Sequence, residues 1–231
     1  MRILFVRHGH PDYKKDCLTD IGKQQAAAVA KRLAEEGIDK LFCSTMGRAR
    51  ETASYISEEL GLEAEPLDFI REISWGSEDG SPLPWIEKGY PWQTSRALAA
   101  HGLALHDPSW KEKEPFRLNT RFQATVQRVL DGCDPWLASL GIIRDGLYYR
   151  LQEPKYETVC VVSHGGSSTV VLSHMLNLEQ PFLFGTLTPR FTSVTELRLE
   201  PFNAEEPDGL IVPFIELIND SRHIWDCWME E

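Results

Sequence analysis

The sequence has few of the features that mark membrane, secreted or nucleic-acid-binding proteins. No apolar run approaches the roughly 20 residues of a membrane span, and the apolar start of the chain ends at Arg7, too early for a signal-peptide core. The 24 lysines and arginines are outnumbered by 35 acidic residues, and a net charge of −11 opposes binding to a phosphate backbone. We therefore expect a cytoplasmic protein that has neither nucleic acid nor a membrane as its partner.

The chain also lacks closely spaced cysteines, internal repeats and low-complexity tracts. Its five cysteines are spread over the whole length without the C-x-x-C spacing of zinc and redox sites: Cys17, Cys43, Cys133, Cys160 and Cys227. We read them as reduced thiols and expect no metal and no other cofactor. The 231 residues are 42% hydrophobic and 26% charged, which is typical of a globular protein with a sizeable core.

Short apolar runs alternate with helical segments along most of the chain, which favours an α/β fold with a mostly parallel sheet. Strands are predicted at 2–6, 41–43 and 158–163, with edge strands at 193–199 and 210–218. Helices are predicted after a cap at Thr19, after a cap at Ser44 or Thr45, and over residues 168–176.

The middle of the chain departs from this pattern. Residues 80–115 are rich in proline and carry Trp85, Trp92 and Trp110 without a steady period, whereas residues 116–140 have helical character. An Asp-Gly pair at Asp145 predicts a hairpin. We predict a single domain, 1–231, with an insertion at about 81–155 that forms a cap over the site, because about 75 residues are few for an independent core.

Three polar clusters follow predicted strands or begin predicted helices, at residues 7–10, 44–48 and 163–166. Ligands bind at this edge of open parallel sheets. Arginine offers two parallel donors to phosphate oxygens, helix N-termini add N–H groups, and a neutral imidazole can attack phosphorus. The clusters therefore predict phosphoryl transfer without a metal.

These segments resemble the histidine phosphatase superfamily, also called the phosphoglycerate mutase-like family. Arg7-His8-Gly9 resembles its signature, Ser44 with Arg48-Ala49 its second-arginine segment, Arg71-Glu72 its acidic segment, and Ser163-His164-Gly165-Gly166 its second-histidine motif. The resemblance covers about residues 1–80 and 156–200. It implies a three-layer sandwich with a mostly parallel central sheet and an inserted cap.

The same resemblance implies roles for individual residues. His8 would be the nucleophile that becomes phosphohistidine, Arg7, Arg48 and His164 would hold the phosphoryl oxygens, and Glu72 would donate the proton. Where relatives carry Glu-Thr and a later Asn, this chain has His10, Pro11 and Lys14, so Lys14 or His10, together with Gly165, are candidate phosphate ligands. Glu78 and Asp79 stay alternatives to Glu72 as the acid.

The sequence thus predicts a metal-independent phosphomonoesterase acting on a small phosphorylated molecule or a phosphoprotein. Three alternatives stay open: a phosphoglycerate mutase-like phosphotransferase, a metal-dependent hydrolase using His8-x-His10, and a catalytically silent phosphate-binding module. Neither the substrate nor the oligomeric state follows from the sequence.

Overall fold

The computed structural model describes residues 1–81, 95, 104–114, 116–201 and 209–225, and ten strands and five α-helices lie wholly within these residues. The strands are β1 (Arg2–Arg7), β2 (Pro11–Asp12), β3 (Cys17–Leu18), β4 (Lys40–Ser44), β5 (Ala64–Leu67), β6 (Ile142–Asp145), β7 (Tyr148–Leu151), β8 (Thr158–Ser163), β9 (Val194–Arg198) and β10 (Phe214–Asp220). The helices are α1 (Asp20–Leu33), α2 (Gly47–Leu60), α3 (Thr120–Ser139), α4 (Gly165–Met175) and α5 (Gln180–Thr186). Trp85, Trp92 and Cys227 lie outside the described residues.

Six of the strands form the central sheet in the order β10-β9-β1-β8-β4-β5. Strands β1, β8, β4 and β5 are parallel neighbours, whereas β9 runs antiparallel to both β1 and β10. The prediction of an edge strand at 193–199 is wrong, because β9 is paired on both sides. Edge strands are β10, as predicted, and β5, whose Pro66 obscures the strand in the sequence but is tolerated at an edge.

Alternating side chains of β1 pack into two apolar clusters on opposite faces of the sheet. Ile3 and Phe5 belong to one cluster together with buried side chains of α3 and α4. Leu4 and Val6 belong to the other, with buried side chains of α1 and α2. A three-layer α/β sandwich is thereby confirmed.

The described part of the predicted insertion, residues 81–155, does not all lie apart from this core. Trp136 of α3 contacts Phe42 of β4 with ring centroids 5.8 Å apart, so α3 is one of the helices that cover the sheet. A cap stays a prediction for the rest of segment 81–155. The hairpin is present as β6–β7, with Gly146 at φ 63° in its turn.

The start of α2 differs from its prediction. Met46, not Ser44 or Thr45, is the N-cap residue, and its side chain makes no capping hydrogen bond. By contrast, Thr19 caps α1 as predicted, by accepting a hydrogen bond from the backbone N–H of Gly22. Within the part of the chain that the structure describes, no helix combines the length and apolarity needed to cross a membrane.

Candidate active site

The ends of β1 and β8 bring two histidines together. The strands pair in register up to Arg7 and Ser163, and the backbone N–H of His8 donates to the Ser163 carbonyl over 2.9 Å. The next residues, His8 and His164, have ring centroids 5.1 Å apart, and both side chains are buried. Parallel pairing of two predicted strands therefore produces the predicted cluster.

The hydrogen bonds of His8 fix its neutral tautomer. Its Nδ1 lies 2.7 Å from the Gly9 carbonyl oxygen, an acceptor, so Nδ1 carries the proton and Nε2 the lone pair. Arg48 Nε–H donates to that Nε2 over 3.1 Å. Burial, reinforced by the charges of Arg7 and Arg48, holds the pKa of His8 well below 6.5. The ring is therefore neutral near pH 7.

His164 is the N-cap residue of α4 and is held by Ser44. Ser44 Oγ accepts from the backbone N–H of Met46 and lies 2.8 Å from His164 Nε2. Nδ1 of His164 is buried without a hydrogen-bond partner in the described structure, so a proton on this atom would be available to a ligand. Burial, followed by the nearby His8 and arginine side chains, lowers the pKa of His164 well below 6.5.

Arg48 is almost fully buried and is held by Asp16, a residue that the sequence did not single out. Asp16 Oδ1 pairs with Arg48 Nη1 over 2.5 Å, and Oδ2 accepts from the backbone N–H of Gly47 over 2.6 Å. The aspartate thus supplies the cap that Met46 cannot give to α2. It lies in the turn between two paired strands of two residues each and has φ 53°, neither of which leaves a clear sequence signal.

Arg7, the last residue of β1, is held by the segment before β9. Its Nη1 donates to the Pro189 carbonyl over 2.6 Å, and its guanidinium carbon is 4.0 Å from the centre of the Phe191 ring. Phe191 also packs against His8, with ring centroids 5.7 Å apart. The segment before β9 therefore orients Arg7 and supports the buried histidine.

A cavity of about 510 Å³ opens beside these groups. Its polar lining includes Arg7, Arg48, Glu72 and the first residues of α4, Gly165 and Gly166. The lining does not include His8 or His164, which lie buried beside the arginines. Of the predicted phosphate contacts, the structure brings Arg7, Arg48 and Gly165 to this cavity.

Glu72 approaches the start of α4 closely. Its carboxylate accepts the backbone N–H groups of Gly166 and Ser167 over 3.3 and 3.0 Å. A Cβ atom at Gly166 would lie 2.7 Å from Glu72 Oε1 and 2.4 Å from a side-chain carbon of Ile73, so only glycine permits this approach.

The two alternative acids lie elsewhere. Glu78 and Asp79 are exposed and do not line the cavity. Hydrogen bonds from Ser77 and Ser81 lower the pKa of Asp79 to about 2, which leaves it without a proton to donate near neutral pH. Glu72 is therefore the best placed of the three carboxyl groups.

Lys14 and His10 also fall outside the cavity lining. Lys14 is exposed in the turn between β2 and β3, where its backbone N–H is bonded to Asp12. His10 Nδ1 lies 2.9 Å from Thr19 Oγ1, which ties the ring to the start of α1. The structure therefore does not bring these two candidates to the cavity lining.

One cluster with the spacing of metal ligands occurs in the described residues, formed by Cys133, Asp134 and His174. Asp134 is bonded to His174 and forms a salt bridge with Arg144. Burial raises the pKa of the Cys133 thiol above its ordinary value. A guanidinium on the carboxylate and a protonated thiol disfavour a bound cation here.

Comparison with known proteins assigns the class. The model of the histidine phosphatase superfamily (branch 1) matches residues 3–205. A Schizosaccharomyces pombe protein described as a probable phosphatase is 34% identical over 215 residues, covering 86% of this chain and 87% of its own. The chain belongs to the histidine phosphatase superfamily, and the predicted class of enzyme, a histidine phosphatase, is confirmed.

Other relatives are similar over shorter parts. A Caenorhabditis elegans protein, "Serine/threonine-protein phosphatase Pgam5, mitochondrial", is 33% identical over 125 residues, or 48% of this chain, and the match spans only 42% of that relative's length. Among solved structures, mycobacterial glucosyl-3-phosphoglycerate phosphatase superposes with a TM-score of 0.61 at 22% identity, over 94% of this chain and 98% of its own. Alpha-ribazole phosphatase from Shigella flexneri has a TM-score of 0.61 at 17% identity, over 96% and 97%. At these identities the structures show the shared fold.

Proposed function

We propose that this protein is a metal-independent phosphomonoesterase that transfers the phosphoryl group to His8 and then to water. The observation that carries the proposal is the His8 ring, neutral by burial, with its Nδ1–H bonded to Gly9 and its Nε2 lone pair beside Arg48. A neutral imidazole held in this tautomer is a nucleophile at physiological pH.

In the first step the His8 Nε2 lone pair forms a bond to phosphorus while the bond from phosphorus to the ester oxygen breaks. In the structure, Arg48 Nε–H donates to this lone pair. When substrate binds, the guanidinium turns toward the phosphoryl oxygens and frees the lone pair. Arg7, His164 in its Nδ1–H tautomer and the backbone N–H of Gly165, the first residue of α4, supply further donors to the charge on these oxygens. Glu72 gives its proton to the leaving oxygen.

In the second step water attacks phosphorus and the bond to His8 breaks, releasing inorganic phosphate. The Glu72 carboxylate accepts the proton of the water, which returns the enzyme to its starting state. Both steps use groups of this chain alone.

The alternatives receive less support from the geometry. A metal shared by His8 and His10 would face the Arg48 guanidinium at Nε2 of His8, while Nδ1 of each ring is engaged by Gly9 or Thr19. A mutase is favoured only by names: a Yersinia pestis relative named as a probable phosphoglycerate mutase is 29% identical over 155 residues, covering 62% of this chain and 70% of its own. A silent binding module would keep the arginines and show no turnover.

The test compares wild type, His8→Ala and the matched control His106→Ala, whose side chain is exposed and does not line the cavity. Hydrolysis of p-nitrophenyl phosphate is measured with and without EDTA, and acid-labile phosphate on the protein is trapped by rapid quenching. We expect EDTA-resistant turnover and trapped phosphate in wild type and His106→Ala, and neither in His8→Ala. Full turnover in His8→Ala, or activity abolished by EDTA, would overturn the proposal. In a separate assay with phosphoglycerate, isomerisation without release of free phosphate would favour the mutase.

A further inference from the structure

The cavity has a charged side and an apolar side. Away from Arg7 and Arg48, six residues form an apolar wall in the described lining: Met46, Ile73, Trp75, Phe184, Leu187 and Pro189. A phosphoryl group held by the arginines would place the rest of its substrate against this wall. The apolar character of this wall therefore indicates what kind of alcohol the ester contains.

The apolar wall is built on a packed aromatic cluster. Trp75 stacks on Phe122 with ring centroids 4.4 Å apart and an angle of 22°, and it meets Phe184 almost at a right angle, at 6.2 Å. Phe122 in turn contacts Phe184 at 5.8 Å, and both phenylalanines are buried. Because these rings brace each other, the wall is formed before any ligand arrives.

The charges on the described lining match one phosphoryl group. The cations are Arg7 and Arg48, and the single acid is Glu72. Arg48 is also paired with Asp16, which lies outside the lining, so the two guanidinium groups carry no more positive charge than one phosphomonoester dianion requires. No further described cation of the lining is left for a carboxylate or a second phosphate, and burying such a group unpaired is costly.

We infer that the substrate is a phosphomonoester of an alcohol with an apolar, preferably aromatic, group and without a second acidic group. This inference rests on the proposed function, since it assumes that the phosphoryl group lies between Arg7 and Arg48. It selects against compact phosphorylated acids, which would set a carboxylate against Trp75, Phe184 and Leu187.

The experiment compares two esters of primary alcohols that differ in one substituent. Benzyl phosphate carries a phenyl ring where phosphoglycolate carries a carboxylate. Ethyl phosphate, which has a small uncharged methyl group at that position, serves as the reference. We expect kcat/KM for benzyl phosphate to exceed that for ethyl phosphate on the order of 10- to 100-fold, the Boltzmann factor for burying a phenyl ring. Phosphoglycolate should be the poorest substrate, and equal or faster turnover of phosphoglycolate than of benzyl phosphate would overturn the inference.

A lysine added to the cavity sharpens the comparison. Thr188 lines the cavity and is exposed, so Thr188→Lys adds a third cation without disturbing the core. We expect it to raise the ratio of kcat/KM for phosphoglycolate over benzyl phosphate about fivefold. The matched control is Thr186→Lys, an exposed position two residues earlier that is not part of the cavity lining, and an equal rise there would count against the inference.

Binding of phosphonates separates this inference from the proposed catalysis. Benzylphosphonate and phosphonoacetate are not hydrolysed, and their affinities are measured by calorimetry for wild type and Thr188→Lys. Tighter binding of benzylphosphonate by wild type supports the inference even if no ester is turned over, in which case only the proposed function fails. Tighter binding of phosphonoacetate by wild type overturns the inference while leaving His8-dependent hydrolysis intact.

Discussion

Helices α2 and α4 both begin at the cavity, and neither is capped by its own side chain. The N-cap residues are Met46 and His164, which make no side-chain capping hydrogen bond. A carboxylate from another segment takes over in each case: Asp16 accepts the N–H of Gly47, and Glu72 accepts those of Gly166 and Ser167. The same solution to unsatisfied helix N–H groups thus occurs twice in one site.

The two carboxylates differ in what else they contact. Asp16 forms a salt bridge with Arg48 and does not line the cavity. Glu72 lines the cavity, and within the described residues it forms no salt bridge. A capping carboxylate with a fixed cation partner can only position that cation, whereas one without such a partner can exchange a proton with a ligand. The comparison therefore separates a positioning role for Asp16 from a chemical role for Glu72.

The largest effect is expected from Glu72→Gln, which keeps the size of the side chain and removes its exchangeable proton. We expect kcat for benzyl phosphate to fall by roughly 10²- to 10⁴-fold, because the alkoxide leaves unprotonated. The loss with p-nitrophenyl phosphate should be much smaller, since nitrophenolate is stable without a proton. Steady-state assays with the two substrates give the ratio.

Glu78→Gln is the matched control, because Glu78 is exposed and does not line the cavity. It should keep both activities. If Glu72→Gln lowered both activities by the same factor and also lowered Tm, Glu72 would be a helix cap alone, and the difference drawn from Asp16 would disappear.

A smaller effect is expected from Asp16→Asn. An asparagine oxygen can still accept from Gly47, so the cap is kept while the charge pair with Arg48 is lost. We expect kcat/KM to fall on the order of 10- to 100-fold through misplacement of Arg48, with Tm nearly unchanged. Thermal unfolding and steady-state kinetics are measured on the same samples.

Two further variants, Asp12→Asn as a control and Arg48→Lys, test whether Asp16 acts through Arg48. Asp12→Asn removes a charge that pairs with Lys15 on the same hairpin and should leave activity unchanged. In a cycle with Arg48→Lys, the effects should fall short of additive, because both changes remove one interaction. Additive losses would mean that Asp16 acts without Arg48.

The contrast between these two carboxylates was only half visible in the sequence. Glu72 belongs to a recognisable segment, and the strand ends that carry His8 and His164 follow from apolar runs that pair as neighbours. Asp16 was missed because its contact with Arg48 depends on a turn of unusual backbone conformation, φ 53°, between two very short strands. Local sequence patterns predict strands and helices, whereas contacts between loops depend on the assembled fold.

The same reason explains the errors in the sheet. Strand β9 has the composition of an edge strand, yet its place between β1 and β10 is decided by the return of the chain after α5. Conversely, β5 pairs along β4 despite Pro66, because its other side has no neighbour in the sheet that needs the missing N–H. Neither the order of strands nor the identity of edges is encoded in a single segment.

The two helix starts agree in one respect, which gives the smallest predicted effect. Each lies beside a buried imidazole whose pKa is well below 6.5, His8 at α2 and His164 at α4. A third histidine, His223, lies elsewhere, and burial lowers its pKa to about 4. In the unfolded chain these groups take up protons as pH falls through 6.5, whereas the folded protein does not. The free energy of unfolding should therefore decrease between pH 6.5 and 5, by up to roughly 1.4 kcal/mol per pH unit for each histidine.

Urea unfolding at several pH values measures this slope. His164→Asn and, separately, His223→Asn should each reduce it by up to that amount, and His8→Asn provides a third variant if one of these does not fold. Asp79 and Asp220, whose pKa values are lowered to about 2, add their own acid sensitivity only as pH falls below about 4, outside the window. A flat dependence between pH 6.5 and 5 in wild type would mean that these histidines take up protons in the folded protein as they do in the unfolded chain, which would contradict the lowered pKa of His8 on which the proposed nucleophile rests.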